Sequence, residues 1–144
     1  MKTYVKVALF FVTFIALSAI LAALYFYNLK STDMAKAKPD FIVTASSLVK
    51  AFENDETKAS VTYINKILEV SGKIASVKPA ENSVANISLV TESDLSSVIC
   101  TFPAVNDPAI FRVGDEITLR GECSGFLMDV LLNNCALILQ KTEK

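Results

Sequence analysis

The sequence predicts a mainly β fold: a five-stranded closed barrel with a preceding α-helix, and one transmembrane helix at the N-terminus. Three observations support this. Residues 7–26 form an uncharged, mostly apolar run, five segments between residues 67 and 139 have strand character, and a glycine-marked turn separates the last two segments. Once the first 39 residues are set aside, about 105 remain, which suits one compact domain.

The apolar run Val7–Phe26 is long enough to cross the hydrocarbon core of a bilayer. Lys2 and Lys6 precede it, and Tyr25 and Tyr27 close it, as expected for a helix whose tyrosines settle at the membrane interface. The alternative is a cleaved secretory signal with a small-x-small site at residues 16–18. Because the apolar run continues well past that site, the uncleaved anchor is favoured.

These features divide the chain into four parts. Residues 1–6 are a short basic N-terminus, residues 7–27 are the transmembrane anchor, residues 28–40 are a solvated tether, and residues 41–144 are the barrel domain. No cysteine follows the anchor closely, so the sequence does not indicate a lipidated cysteine.

Charge separates along the same boundary. Residues 1–39 contain five lysines and one aspartate, whereas residues 40–144 contain nine basic and fourteen acidic side chains, a net charge of −5. A short basic segment before a single apolar span is also how export signals begin. We therefore expect a single-pass membrane protein whose acidic C-terminal domain is extracytoplasmic, in the periplasm.

A helix is predicted directly after the tether. Leu48, Val49 and Phe52 recur at helical spacing over residues 45–54, and Thr44 or Ser46 is placed to cap the first turn. Residues 55–60 are polar and fit a second short turn of helix. Residues 61–64 then lead into the first barrel strand.

Five strands are predicted, over residues 67–77, 84–90, 97–102, 116–123 and 129–139. Gly72 lies in the middle of the first and longest strand, where a glycine is typical of a β-bulge that bends the chain. Residues 109–112 form a short turn of helix between the third and fourth strands, after Pro103 and Pro108 interrupt regular structure.

These segments resemble the tRNA-anticodon-like OB-fold family. The resemblance is carried by residues 66–74, by residues 98–102, by Val113-Gly114-Asp115, and by residues 121–125 and 129–135. It covers residues 41–139. It implies an OB-fold barrel preceded by a helix, and an origin in the envelope-attached proteins typical of Bacteroidetes. It implies little about activity, because function does not follow from fold.

Nucleic acid is disfavoured as a partner. OB folds that bind single strands combine a basic groove with aromatic side chains on which bases stack. Here the domain is acidic, its basic residues (Lys73, Lys78, Arg112, Arg120) are scattered, and its aromatic residues (Phe52, Tyr63, Phe102) fit core or helix-packing positions. Single-stranded nucleic-acid binding by a cytoplasmic domain is the alternative function.

Catalytic, cofactor-binding and metal-ligating residues are not predicted. The chain has no histidine, the commonest general base. Ser47 and Lys50 match a Ser-x-x-Lys spacing, but the Ser-Asp-Asn and Lys-Thr-Gly motifs that accompany it in penicillin-recognising enzymes do not occur. Zinc is disfavoured because three cysteines lack a fourth ligand and a Cys-x-x-Cys spacing.

Cys100, Cys123 and Cys135 are expected to be buried free thiols. Hairpin register places Cys123 and Cys135 too far apart for a disulfide, while Cys100 with Cys135 stays open as a pairing because the third and fifth strands of an OB barrel approach each other.

The sequence therefore predicts a membrane-anchored OB-fold domain that acts as a non-enzymatic binding or interaction module in the cell envelope. Its expected partners are the membrane, through the N-terminal helix, and an envelope protein or a small ligand. The expected binding surface is the face of the second and third barrel strands with the adjoining loops, and no motif marks individual residues there.

Overall fold

A computed structural model describes residues 1–28, 33–79, 85–103 and 108–141. The elements are α1 (Lys2–Asn28), β1 (Phe41–Thr44), α2 (Ala45–Asn54), α3 (Glu56–Tyr63), β2 (Ile67–Pro79), β3 (Ala85–Leu89), β4 (Val98–Phe102), a 3-10 turn (Pro108–Ile110), β5 (Glu116–Leu127) and β6 (Asp129–Lys141). The chain separates into two compact units, Met1–Thr32 and Asp33–Lys144.

The first unit is the apolar helix α1. It is long and apolar enough to cross a membrane, and none of that stretch is buried within the structure. Its one threonine and one serine within residues 7–26 bond to the helix backbone: Thr13 donates to the Leu9 carbonyl at 3.0 Å, and Ser18 donates to the Ile15 carbonyl at 2.9 Å. Such internal bonds are what a helix needs where no water is present.

The second unit is built on a closed five-stranded barrel, as predicted. The strands follow the order β2-β3-β4-β6-β5, and β5 pairs back with β2 to close it. Every neighbouring pair is antiparallel except β4 and β6, which are parallel. Inward-facing residues alternate with outward ones along β3 and β4, so the barrel interior is a packed apolar core.

Helix α2 begins and ends where the sequence predicts. Thr44 and Ser47 form a capping box: the Thr44 hydroxyl accepts from the Ser47 amide at 3.2 Å, and the Ser47 hydroxyl accepts from the Thr44 amide at 3.1 Å. The buried face of the helix adds Leu48, Val49 and Phe52 to the core. The Ser47 hydroxyl is thus occupied by the cap, and Lys50 is exposed.

Two elements differ from the prediction. Residues 61–63 continue a helix, α3, instead of leading into a strand, because Asp55 caps it by accepting from the Lys58 amide at 3.0 Å and Tyr63 packs on Phe52. A short strand, β1, was not predicted; it joins β2 in parallel, with Phe41 opposite Leu68. Four residues are too few for an alternation of apolar and polar side chains to identify such a strand.

The end of the predicted tether packs on the barrel. We call residues 33–40 the strap. Met34 is only 4% exposed, and Arg120 donates through Nη1 to the carbonyls of Ala35 and Ala37 at 3.1 and 3.0 Å. Arg120 Nε also bonds Glu69 at 2.7 Å. The strap therefore packs as part of the barrel domain. Its partners, such as Arg120, are distant in sequence, so its polar composition did not predict these contacts.

Two glycines act differently from expectation. The register shift in β2 falls between Ile74 and Ser76, not at Gly72. Gly72 instead gives α2 room to approach, since a Cβ there would lie 3.1 Å from Ala45 Cβ. The turn between β5 and β6 is formed by Met128, with φ at 66°, while Gly125 lies within β5.

Candidate interaction surface

The predicted binding face, on the outside of β3 and β4, is polar and half-buried. In the ladder Asn86 lies opposite Thr101 and Ser88 lies opposite Ile99. All four are partly exposed, and the Thr101 hydroxyl donates to Asn86 Oδ1 at 2.9 Å. This face offers hydroxyl and amide groups but little charge and no aromatic ring.

The aromatic side chains of the barrel pack inward. Phe102 is buried against Phe111, with ring centroids 5.0 Å apart, and Phe126 stacks on Phe52 at 5.2 Å. Among the described residues of the second unit, Phe41 is the exposed aromatic, and its ring meets Tyr63 edge to face. A row of solvent-facing rings for base stacking is thus absent from the described part of this unit.

The four basic residues that the sequence analysis names lie on three elements of the described structure. Arg120, on β5, is held by Glu69 and the strap. Lys73 and Lys78 are exposed on β2, where Lys73 lies opposite Glu116, and Arg112 is exposed in the segment before β5. This part of the sequence has a net negative charge.

A different surface stands out where β3, β4, β5 and β6 share one end of the barrel. We call residues 90–97 and 127–129 the loop end. The Asp129 carboxylate accepts from the backbone amide of Ser97 at 2.7 Å and from its hydroxyl at 2.8 Å. The Val130 amide donates to the Ser97 carbonyl at 2.9 Å. These three bonds fasten the β5–β6 turn to the β3–β4 loop.

The same loop is also fastened to α2. Ser93 donates to Glu53 Oε1 at 2.6 Å, and the Ser46 hydroxyl accepts from the Glu92 amide at 3.2 Å. Within the loop, the Thr91 hydroxyl donates to the Ser96 carbonyl. A loop tied at both sides presents its remaining side chains in a defined arrangement.

Three of those side chains are large, apolar and exposed. Leu95 is 82% exposed, Leu127 is 78% exposed and Met128 is 73% exposed. We call these three residues the apolar tip. Because residues 95 and 127 each lie two positions before the Ser97–Asp129 bond, the two loops present them on the same end of the barrel. Clustered exposed apolar side chains are typical of protein interaction sites.

The turn conformation strengthens this interpretation. Met128 adopts φ of 66°, a left-handed conformation that costs a residue with a Cβ about 1–2 kcal/mol and that glycine adopts freely. The sequence nevertheless places a long apolar side chain there. Backbone strain of this kind is concentrated at functional positions.

The two sequence segments that form the apolar tip are acidic. Residues 90–97 and 122–134 include Glu92, Asp94, Glu122 and Asp129 and contain no lysine or arginine. Carboxylates of this kind favour basic groups on a facing surface.

Other concave regions offer fewer free functional groups to a ligand. One of them, about 380 Å³, lies between α2 and α3, where Ala51, Ala59 and Tyr63 form its apolar wall. Its carboxylate, Asp55, is already occupied as the cap of α3. A second region of about 270 Å³ separates α2 from the loop at Ser93.

Groups suited to catalysis are used structurally. Buried Asp115 accepts from the Gln140 side-chain amide at 2.8 Å, and Asp129 holds Ser97. In the described part of the chain, no three His, Cys, Asp or Glu side chains gather in a way that could hold a metal ion. The three cysteines are buried free thiols, as predicted.

Sequence reasoning did not identify the members of the apolar tip. Leu95, Leu127 and Met128 interrupt no strand pattern and look like ordinary apolar residues near turns. The one signal that could have found them is their position: large apolar residues in or beside turns, where polar residues and glycine are usual.

Comparison with known proteins gives a family match and a fold match. The family model described as tRNA_anti-like matches residues 1–137. No curated protein matches the chain. A crystal structure from Klebsiella pneumoniae subsp. pneumoniae MGH 78578, of a protein described as a candidate nucleic acid-binding lipoprotein, is 16% identical with a TM-score of 0.57, covering 67% of this chain and 91% of that one.

A second structure is more distant. It is a candidate aspartyl-tRNA synthetase from Leishmania major Friedlin, 10% identical with a TM-score of 0.45, and the match covers 78% of this chain but 23% of the other. At 16% identity, the likeness to the Klebsiella structure establishes the fold.

Proposed function

The chain belongs to the tRNA_anti-like family, and from this premise we propose that it is a membrane-anchored OB-fold module that binds a protein partner in the cell envelope. Helix α1 is the anchor, residues 28–40 connect it to the barrel domain, and the domain lies outside the cytoplasm. The apolar tip is the docking site, and the partner surface is apolar with a basic border.

The observation that carries this proposal is the apolar tip itself. Three apolar side chains, each more than 70% exposed, occupy loops that are bound to each other and to α2. Ordering such loops in advance lowers the entropy lost when a partner binds. The surrounding carboxylates then select a partner with basic groups.

The proposed location rests on α1 and on charge. Lys2 and Lys6 precede the apolar span, as basic residues do on the cytoplasmic side. The Klebsiella protein is described as a lipoprotein, so we propose a shared envelope setting with a different attachment, a helix in place of a lipid.

The proposed role is non-enzymatic. The chain has no histidine, and buried Asp115 is committed to Gln140. The role of the module is therefore to hold a partner near the membrane.

The second candidate is nucleic-acid binding, favoured by the description of the Klebsiella protein. The geometry of this chain supports it less well, because β3 and β4 carry no outward aromatic side chain and Arg120 is held by Glu69 and the strap. Affinity for single strands depends on both features.

Topology is tested with a reporter fused after Lys144. A phosphatase that folds only after export is expected to be active, whereas a fluorescent protein that folds only in the cytoplasm is expected to be dark. The matched control lacks residues 7–26 and should reverse both results. A fluorescent full-length fusion would contradict the proposed location.

Docking is tested with a photo-crosslinking amino acid at position 128 in cells of the source organism. The control position is Val113, which is apolar, 67% exposed and lies beside the opposite end of β5. A discrete product is expected from position 128 alone, and Glu92→Lys with Asp94→Lys should weaken it. The same product from position 113, or no effect of charge reversal, would contradict docking at the tip.

Nucleic-acid binding is tested by retention of the full chain, in detergent, on immobilised single-stranded oligonucleotides. Retention no greater than on the bare matrix is expected. Retention that falls steeply as salt rises would support the second candidate, because release of counterions from phosphates produces that dependence.

A further inference from the structure

The parallel junction of β4 and β6, which closes the barrel and which we call the closing seam, contains two cysteines. Cys100 lies on β4 and its backbone partner on β6 is Leu132. Cys135, three residues further along β6, donates its thiol to the Leu132 carbonyl at 3.4 Å. The Cys135 thiol therefore turns back toward Leu132, which lies opposite Cys100 on β4 and Cys123 on β5.

The local backbone of β6 allows this approach. Between the register pairs Arg120–Ala136 and Glu122–Asn133, β6 has two residues where β5 has one. Asn134, within this bulge, has φ of 52°. The bulge turns the Cys135 side chain into the core, where it is 4% exposed.

The opposite strand is shaped to receive the sulfur. Gly121 on β5 lies so close that a Cβ there would be 2.6 Å from Cys135 Sγ. The sulfur thus fills a space that only glycine leaves open, and its other neighbour is Cys100. Burial and, after it, a hydrogen bond with the Cys135 side chain raise the pKa of the Cys100 thiol well above its ordinary value.

Cys123 has different surroundings. Burial raises the pKa of its thiol, and a hydrogen bond from the Gly125 backbone lowers it. Neither of the other two cysteines affects the pKa of Cys123. Of the three thiols, Cys100 and Cys135 are therefore the neighbouring pair.

We propose that Cys100 and Cys135 form a disulfide that locks the closing seam when the chain folds outside the cytoplasm, and that Cys123 stays a free thiol. This inference rests on the extracytoplasmic location given under Proposed function, since disulfides form and persist in oxidising compartments. The cross-link complements the Asp129–Ser97 bonds, which fasten the other end of the same seam.

The chemistry is thiol–disulfide exchange with an external disulfide oxidant. One thiolate attacks the oxidant's disulfide to give a mixed disulfide, and the second thiolate then displaces the oxidant's remaining thiol. Two S–H bonds are lost and one S–S bond forms. The two protons and two electrons pass to the oxidant, whose disulfide becomes two thiols.

Oxidation precedes closure of the barrel. Both thiols are buried in the closed barrel, and the raised pKa of Cys100 leaves little of its thiolate to react. The oxidant therefore reaches them before β4 and β6 have joined, or during transient opening of the seam.

The test uses the full chain with its own N-terminal segment, exported in a bacterial host. The sample is acid-quenched, alkylated under denaturing conditions and weighed by mass spectrometry. One alkylated thiol is expected, and three after reduction. Cys123→Ala should show none before reduction, while Cys100→Ala and Cys135→Ala should each show two.

A second sample separates this inference from the proposed location. The chain is purified reduced in detergent and incubated with glutathione disulfide at a urea concentration just below its unfolding midpoint. Three alkylated thiols in both samples would overturn the cross-link. Protection in this sample but not in the exported one would support the pairing and overturn the extracytoplasmic location, and protection that needs Cys123 would overturn the pairing.

Discussion

Strand β6 joins the barrel along two edges that differ sharply. Its hairpin seam with β5 is antiparallel and contains ten register pairs, whereas its closing seam with β4 is parallel and contains three. In the hairpin seam a single residue, Met128, connects β5 to β6. In the closing seam the paired residues Val98 and Val130 are more than thirty positions apart in sequence. Joining distant segments costs more loop entropy.

The difference shows how a small barrel can be closed with little backbone pairing. The hairpin seam is held by its own hydrogen-bond ladder. The closing seam relies on side chains at each end: Asp129 bonded to Ser97 at one end, and Cys135 between Gly121 and Cys100 at the other. Changes at these side chains should therefore weaken the barrel more than changes along the hairpin seam.

The largest effect is expected from Leu132→Ala. Leu132 is fully buried and faces both seams, opposite Cys100 and Cys123. Loss of its side chain leaves a cavity, and we expect unfolding to become easier by about 2–5 kcal/mol. The measurement is urea unfolding of the full chain in detergent. Leu139→Ala, on the same strand but 53% exposed and paired to β5 alone, is the control and should change stability by about 0.5 kcal/mol or less.

The second largest effect is expected from Gly121→Ala. We expect the free energy of unfolding to fall by about 1–3 kcal/mol, because the added methyl group overpacks against Cys135 Sγ. A double-mutant cycle with Cys135→Ala isolates the clash, because removal of the sulfur should restore part of the loss. Purely additive effects of the two substitutions would show that Gly121 is not selected by the sulfur.

Asp129→Ala tests the opposite end of the closing seam. It removes the acceptor for the Ser97 amide and hydroxyl, and we expect the free energy of unfolding to fall by about 1–3 kcal/mol. Amide hydrogen exchange should also quicken at residues 97–100 more than at residues 116–120. Asp94→Ala, an exposed carboxylate in the same loop, is the control. Equal losses from both variants would show that general charge, not the bond to Ser97, is responsible.

The smallest effect on stability is expected from Met128→Gly, in the turn of the hairpin seam. Glycine adopts the left-handed conformation without strain, so the barrel should be unchanged or more stable by about 1 kcal/mol. Docking through the apolar tip should nevertheless weaken, since the side chain is lost. A variant that is destabilised and still docks would contradict both the strain argument and the role of the tip.

These seams also differ in how far sequence predicts them. The hairpin seam follows from two neighbouring strand patterns. Its turn was predicted between residues 123 and 129, whereas β5 continues through Gly125 to Leu127 and the turn is Met128 alone. The closing seam contains contacts between residues more than thirty positions apart, such as Ser97 with Asp129, for which one sequence carries no periodic signal. The bounds of the second and third barrel strands were predicted to within one residue, but the apolar tip was missed because its side chains belong to loops.

The sequence by itself determined the apolar anchor-length helix, the capped helix α2, the five barrel strands and the burial of the three cysteines, because these depend on the hydropathy and spacing of adjacent residues. Tertiary structure decided the rest: β1 on the edge of β2, the strap held by Arg120, the left-handed turn at Met128, and the approach of Cys135 to Cys100. Each of these depends on a partner distant in sequence or on space left by another strand. Such a partner is defined only once the barrel has closed.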